Sequence, residues 1–320
     1  MTIDLTGRVA VVTGAGGGLG RSHALALARY GAKVVVNDLV EASAQAVADE
    51  IAGAGGIAVA TACSVTDRDA VAAMIDDAAR EWGSIDILVN NAGILRDRTF
   101  ANLDLEDFET VFSVHLMGSV IVTKAAWPHM RRQGYGRVIL TTSSSGLYGN
   151  FGQSNYGAAK LGLVGLMQTL ALEGGKYGIH VNCLAPSAAT RMTEDLYSPE
   201  DLRGLSTDLV SPGVVALAAE SAPTRVVLLA GAGAFEQAHI TMTRGIYVGD
   251  RPDAAEQVAA NWAGIADRDG EQTPDSGAAQ YHHEVTHPGR RVPKPPAESG
   301  FTPTLREPHA LEGMEPINSR

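Results

Sequence analysis

Arg8-Val-Ala-Val-Val-Thr-Gly14-Ala-Gly-Gly-Gly18-Leu-Gly20 is the stretch that decides the fold. Arg8–Thr13 is an apolar, β-branched run, as expected of a strand covered on both faces. It passes without a linker into a glycine turn, and helical sequence follows. Gly14, Gly18 and Gly20 keep backbone amides bare at a helix N-terminus, with Leu19 beside them. There the free N–H groups and the helix dipole favour an anion. A turn in this position, between a first strand and a first helix, reads as a cradle for the pyrophosphate of a dinucleotide.

The same alternation continues along the chain. Strand candidates are Lys33–Asn37, Ile57–Ala62, Asp86–Asn90, Arg137–Thr142, Ile179–Leu184 and Val226–Ala230. Alanine-rich helical stretches lie between them, among them Ser22–Tyr30, Ala42–Ala54 and Asp69–Trp82. The pattern predicts an α/β fold with a doubly wound, parallel Rossmann sheet and right-handed crossovers.

The composition changes near Asp267. Eight of the 14 prolines lie between Arg268 and Arg320, with His282, His283, His287 and His309. We therefore expect a Rossmann domain over 1–267 and a proline-rich tail over 268–320, either disordered or an arm lying on another subunit. Asp253–Ala266 reads as a last helix, with Asp253 and Glu256 as a capping box and Val258, Trp262 and Ile265 as its buried stripe.

A net charge of −11 argues against a nucleic-acid partner. Two cysteines, Cys63 and Cys183, make no disulfide framework. No stretch reads as a membrane span or a cleavable leader, so a cytoplasmic location is expected. The tail histidines lack a scaffold and no metal motif occurs, so no metal is expected.

The second strand ends at Asn37-Asp38, about twenty positions past the glycines. A carboxylate there accepts hydrogen bonds from the adenosine ribose hydroxyls and repels a 2′-phosphate, which favours NAD over NADP. The alternative is that Asp38 only caps the following helix.

Tyr156 and Lys160, four apart on one helix face, lie downstream of Ser143, which follows the strand RVILTT. A phenol titrates near pH 10, and an adjacent ammonium would bring it down towards use as a base. Ser143 is placed to hold an oxygen on which charge develops.

Together, TGAGGGLG at Thr13–Gly20, NNAG at Asn90–Gly93, Ser143 and Tyr156-Gly-Ala-Ala-Lys160 resemble the short-chain dehydrogenase/reductase family. The resemblance implies a seven-stranded sheet in the order 3-2-1-4-5-6-7. It makes Tyr156 the acid/base, Ser143 the substrate-oxygen holder and Lys160 a nicotinamide-ribose ligand that lowers the tyrosine pKa. By position it adds Val65, Asn91 and Ala189 to the cofactor site. It also implies a homodimer or homotetramer through the helix carrying Tyr156.

NNAGILRDRTF, SVHLMGS, AAWPHM and SSGLYGNFGQSNYGAAKLGL are similar, more narrowly, to the (3R)-hydroxyacyl-CoA dehydrogenase unit of peroxisomal multifunctional enzymes of type 2. The chain has no length for those enzymes' hydratase and sterol-carrier units. This likeness implies a 3-hydroxyacyl-CoA substrate, that is, an acyl-CoA thioester. A steroid or other bulky secondary alcohol is the alternative, and a non-catalytic NAD-binding regulator is the alternative of another class.

Tyr148 and Phe151 are substrate-site candidates, with Leu147 beside them. Thr190–Ser211 is a candidate lid. Arg191 or Arg96 would meet a CoA phosphate, unless each is simply a solvated charge. Two positions depart from the family pattern. His115 stands where an asparagine is usual, either as a proton relay or as a structural helix histidine. Pro186-Ser187 replaces the usual Pro-Gly.

Overall fold

The computed structural model describes residues 2–189 and 204–289, and the fold below refers to these. Two compact units divide the chain, Met1–His239 and Ile240–Arg320.

In the first unit the strands are β1 (Val9–Thr13), β2 (Lys33–Asp38), β3 (Ile57–Ala62), β4 (Ile87–Asn90), β5 (Gly136–Thr141), β6 (Ile179–Ser187), β7 (Val227–Gly231) and β8 (Ala234–Ala238). They form one sheet in the order β3-β2-β1-β4-β5-β6-β7-β8. β1 to β7 run parallel, as the sequence predicts, and β8 returns antiparallel along β7. The β7–β8 turn places Ala232 at φ 50° and Gly233 at φ 80°. Two successive positive φ values are those of a type I′ hairpin turn, whose twist matches the strands it joins. The sequence reading missed β8 because Ala-Phe-Glu-Gln-Ala has little β-propensity and lies exposed on the sheet edge.

Helices cover both faces. α1 (Gly18–Arg29), α2 (Glu41–Gly53) and α8 (Ser211–Ala218) bury Leu27, Ile51 and Val214 against one face. α3 (Arg68–Trp82), α5 (Gly118–Gln133) and α7 (Ser154–Gly174) bury Ile75, Met130 and Met167 against the other. α4 (Leu105–Phe112) runs into α5 through a π-helical turn at Ser113–Met117, and α6 is the short Ser144–Tyr148. α3 begins on Asp67, whose carboxylate accepts from the backbone N–H groups of Asp69 and Ala70, and ends on left-handed Gly83.

Leu105–Gln133 is one continuous helical run with the length and mean hydropathy of a membrane span, which the sequence reading did not credit. Its α5 portion packs on α3, β4 and β5, as a core helix does.

The second unit differs from the expected tail. It begins at Ile240 rather than near Asp267, because the chain pairs with itself there: Met242 and Gln272 exchange backbone hydrogen bonds at 2.8 and 2.9 Å. It holds α9 (Ala254–Ala260), α10 (Trp262–Ile265) and α11 (Gly277–Val285), so part of the supposed tail is helical. The capping box does not form. The Asp253 carboxylate accepts instead from Arg251 and Gln257. The predicted stripe is not buried in this chain, with Trp262 65% and Val258 39% exposed.

Candidate active site

The site lies at the C-terminal ends of β1, β2, β4 and β5, where open α/β sheets bind ligands. A cleft of about 390 Å³ there is lined by Gly14, Gly16–Leu19, Asp38, Asn91–Gly93, His115, Tyr156 and Lys160. Val40, Ser43, Thr141 and Thr142, which the sequence reading did not single out, complete it together with Pro186.

The glycine turn is shaped by close approach. Gly14 sits at φ 61°, and a Cβ on it would come within 2.8 Å of the Ala92 Cα. A Cβ on Gly20 would strike the Gly14 carbonyl. Asn91 braces the same turn, its amide donating to Thr13 O at 3.0 Å and to Gly14 O at 3.1 Å. The N-cap of α1 is Gly17, and no side chain caps the helix. Bare amides at an uncapped helix start, opening into the cleft, fit a pyrophosphate.

Asp38 borders this turn. Its Oδ2 accepts from Gly16 N–H at 2.9 Å and its Oδ1 from Val40 N–H at 3.1 Å. The N-cap of α2 is Val40, so Asp38 is not the α2 cap and its carboxylate faces the cleft.

Ser143, Tyr156 and Lys160 come together. Ser143 follows β5 and is the N-cap of α6, its Oγ accepting from Ser145 N–H at 3.2 Å. Tyr156 and Lys160 are on the first turns of α7. The Lys160 Nζ donates to Thr141 O at 2.5 Å and lies 5.5 Å from the centre of the Tyr156 ring. Thr142 fixes the same helix, its hydroxyl donating to Lys160 O at 2.7 Å. A Cβ on Gly146 would meet Lys160 at 2.8 Å, so α6 needs glycine where it crosses α7.

Burial acts on both titrating groups. It lowers Lys160 from its ordinary value to about 7. It raises Tyr156, against which the Ser143 hydrogen bond pulls down and the Asp97 charge adds to the rise. The net direction at the phenol is therefore upward, opposite to the expected lowering by Lys160. Desolvation of the phenolate outweighs the help available.

His115 occupies the π-helical turn, a local irregularity common at functional sites. Its Nε2 is 2.7 Å from Ile94 O and its ring meets that of Tyr156 edge-on, centroids 5.1 Å apart. A Cβ on Gly93 would run into the imidazole, which explains the glycine of NNAG. Burial holds His115 neutral, at about 3. Nδ1 is buried without a partner.

Other predicted residues lie elsewhere. Val65 is in the core, against Gly118, and is not part of the cleft lining. Ala189 donates its N–H to Leu205 O at 2.6 Å and is not part of the cleft lining. Tyr148 and Phe151 are 68% and 87% exposed and outside the cleft lining. Arg96 pairs with Asp107 at 3.4 Å. Arg191 and most of the candidate lid fall outside the described residues.

A short chain dehydrogenase family profile matches residues 8–201, and the chain belongs to that family. It is 50% identical over 273 residues to a Mycobacterium tuberculosis protein described as a short-chain type dehydrogenase/reductase, covering 82% of this chain and 95% of that one. It is 44% identical to mouse peroxisomal multifunctional enzyme type 2, over 92% of this chain but only 43% of that enzyme, and so spans less than half of it. A Mycobacterium tuberculosis hydroxyacyl-CoA dehydrogenase is 43% identical over 66% of this chain and 71% of its own length. Among solved structures, a 7α-hydroxysteroid dehydrogenase with NADH and 7-oxo-glycochenodeoxycholic acid superposes with a TM-score of 0.68 at 28% identity, over 72% of this chain and 95% of that one. The cofactor class is accordingly a nicotinamide dinucleotide.

Proposed function

We propose that the chain is an NAD-dependent oxidoreductase that interconverts a 3-hydroxyacyl-CoA and its 3-oxoacyl-CoA. The observation that carries the chemistry is the convergence of Ser143, Tyr156 and Lys160 beside the glycine turn. The hydroxyacyl-CoA and multifunctional-enzyme relatives carry the substrate class.

Tyr156 takes the proton of the substrate hydroxyl during oxidation and returns it during reduction. The Ser143 hydroxyl donates to the substrate oxygen, where charge develops. Lys160, anchored on Thr141 O, keeps further N–H donors for a ribose and places a cation near the phenol. A bound nicotinamide supplies the hydride acceptor or donor. Gly14, Gly18, Leu19, Gly20 and Asn91 hold the pyrophosphate turn. The Asp38 carboxylate accepts from ribose hydroxyls and repels a 2′-phosphate, which favours NAD; a cellular NAD pool that is mostly oxidised then favours the oxidation direction. His115 acts in its neutral form, as a hydrogen-bonding group behind Tyr156.

On α7, Ala158, Leu161, Gly165, Thr169 and Leu172 form an exposed stripe of small and apolar residues. The stripe suits a second copy of the chain, as dimer or tetramer. A cytoplasmic enzyme is the reading we adopt.

The test is NAD-coupled turnover with (3R)-3-hydroxyacyl-CoA esters of graded chain length. Thioester turnover with a chain-length optimum supports the proposal. The hydroxysteroid dehydrogenase likeness favours a second reading, a bulky secondary alcohol. Turnover of steroid alcohols with none on thioesters would establish it instead.

A further inference from the structure

Tyr156 lies in the first turn of α7, where a helix opens most readily. Its N–H is one of the donors that a helix start leaves without a partner in the helix. The chain enters this turn through a thinly packed loop. Gly149 and Gly152 both sit at φ 79°, a Cβ on Gly149 would meet nothing within 4 Å, and Phe151 is exposed. Gln153 is the N-cap position, yet its side chain caps nothing. Its amide donates instead to the Asp97 carboxylate at 2.6 Å.

Asn155 holds the turn. It is 0% exposed, and both ends of its amide are used. Its Oδ1 accepts from the Tyr156 N–H at 2.7 Å, and its Nδ2 donates to Arg96 O at 2.9 Å. The tyrosine's own backbone is thereby tied to the loop after β4. That loop is fixed in turn. Arg98 N–H donates to Gly152 O at 2.9 Å. The Ile94 N and O lie 3.0 and 2.7 Å from the His115 Nε2, and the His115 ring stands edge-on to that of Tyr156. Backbone and ring of Tyr156 thus both rest on contacts to Ile94–Arg98. Lys160 does not share this support. One turn further on, it is held through Thr141 O and the Thr142 hydroxyl.

We propose that Asn155 is a positioning residue for the proton transfer: it ties the Tyr156 backbone to the loop after β4 and so sets where the phenol stands, independently of Lys160. A misplacement of about 1 Å at a reacting group can cost about a hundredfold in rate. Loss of the tie should therefore show in the chemical step and not in cofactor binding. The inference rests on the reading of Tyr156 as the proton carrier.

The test is a double-mutant cycle, with Asn155→Ala made in wild type and in Tyr156→Phe. Single-turnover NADH formation from a (3R)-3-hydroxyacyl-CoA ester gives the rate, and titration gives the NAD affinity. We expect Asn155→Ala to slow the wild-type reaction by about 10–100-fold, with NAD affinity changed by less than about twofold. In Tyr156→Phe, where no phenol is left to position, the same substitution should change the rate by less than about twofold. Equal losses in the two backgrounds, an unchanged rate, or a parallel loss of NAD affinity would overturn the proposal. Amide hydrogen exchange of the wild-type protein covers the case in which Asn155→Ala does not fold. The Tyr156 N–H should exchange at least about tenfold more slowly than the Phe151 N–H, and equal exchange would overturn the proposal as well. Should the thioesters not be substrates, the substrate proposal alone fails, and the same cycle is read on steroid alcohols.

Discussion

Replacing Gly14 by alanine tests the cofactor turn at one atom. The residue sits at φ 61°, where an L side chain costs about 1–2 kcal/mol. The new Cβ would also lie 2.8 Å from Ala92 Cα and 3.2 Å from Ala92 N, both backbone atoms that cannot swing away. Overpacking of this kind costs about 1–3 kcal/mol, so the total is roughly 2–5 kcal/mol. For a unit the size of Met1–His239 that lowers Tm by roughly 4–20 °C. Relief would come from moving β4 away from the turn, which also shifts the amides that would face a pyrophosphate. NAD affinity should therefore fall more than tenfold. Gly55→Ala is the control: φ is 84°, but nothing lies within 4 Å of the added carbon. It should show only the conformational cost and an unchanged NAD affinity. Calorimetric melting and NAD titration of the two variants decide the matter. A Gly14→Ala protein with wild-type Tm and NAD affinity would refute the packing argument.

Asp38→Ala should reduce the preference for NAD over NADP at least tenfold in cofactor titrations, since it removes both the ribose acceptor and the charge opposing a 2′-phosphate. His23 and His115 are both held at about 3 by burial, below the ordinary 6.5. Between those values the unfolded chain binds more protons than the folded one. Stability is therefore lost as pH falls below 6.5, by up to about 1.4 kcal/mol per pH unit for each histidine. Acid titration of the unfolding midpoint should show this, and His23→Gln should flatten it. Thr142→Val removes the hydroxyl that holds Lys160 O. Stability should drop by about 1–3 kcal/mol in denaturant unfolding.

The parallel strands were legible because each is a short, mostly apolar and β-branched run between turn residues, and their ends fall within a few residues of the reading. The glycine turn, Asp38, Ser143, Tyr156 and Lys160 were legible because their spacing follows from strand and helix geometry. What escaped the reading depends on contacts between distant segments. β8 exists because β7 offers an unpaired edge, not because its own residues favour a strand. Val258 and Trp262 repeat at helical spacing, yet in this chain they face outward, so periodicity alone could not say what would cover them. Gln153 and Asp97 are ordinary polar residues in sequence. Only the meeting of the loops after β4 and before α7 makes them a pair. The upward shift of Tyr156 was hidden for a similar reason: burial of the phenol is a property of the whole cleft.

The central claim is that the Tyr156 hydroxyl carries the proton while the rest of the chain holds the cofactor. Single-turnover NADH formation from a (3R)-3-hydroxyacyl-CoA ester, in wild type and Tyr156→Phe, tests it most directly. The account predicts a rate lower by about 10²–10⁴ in the phenylalanine enzyme, with NAD affinity unchanged. Equal rates in the two proteins would contradict it.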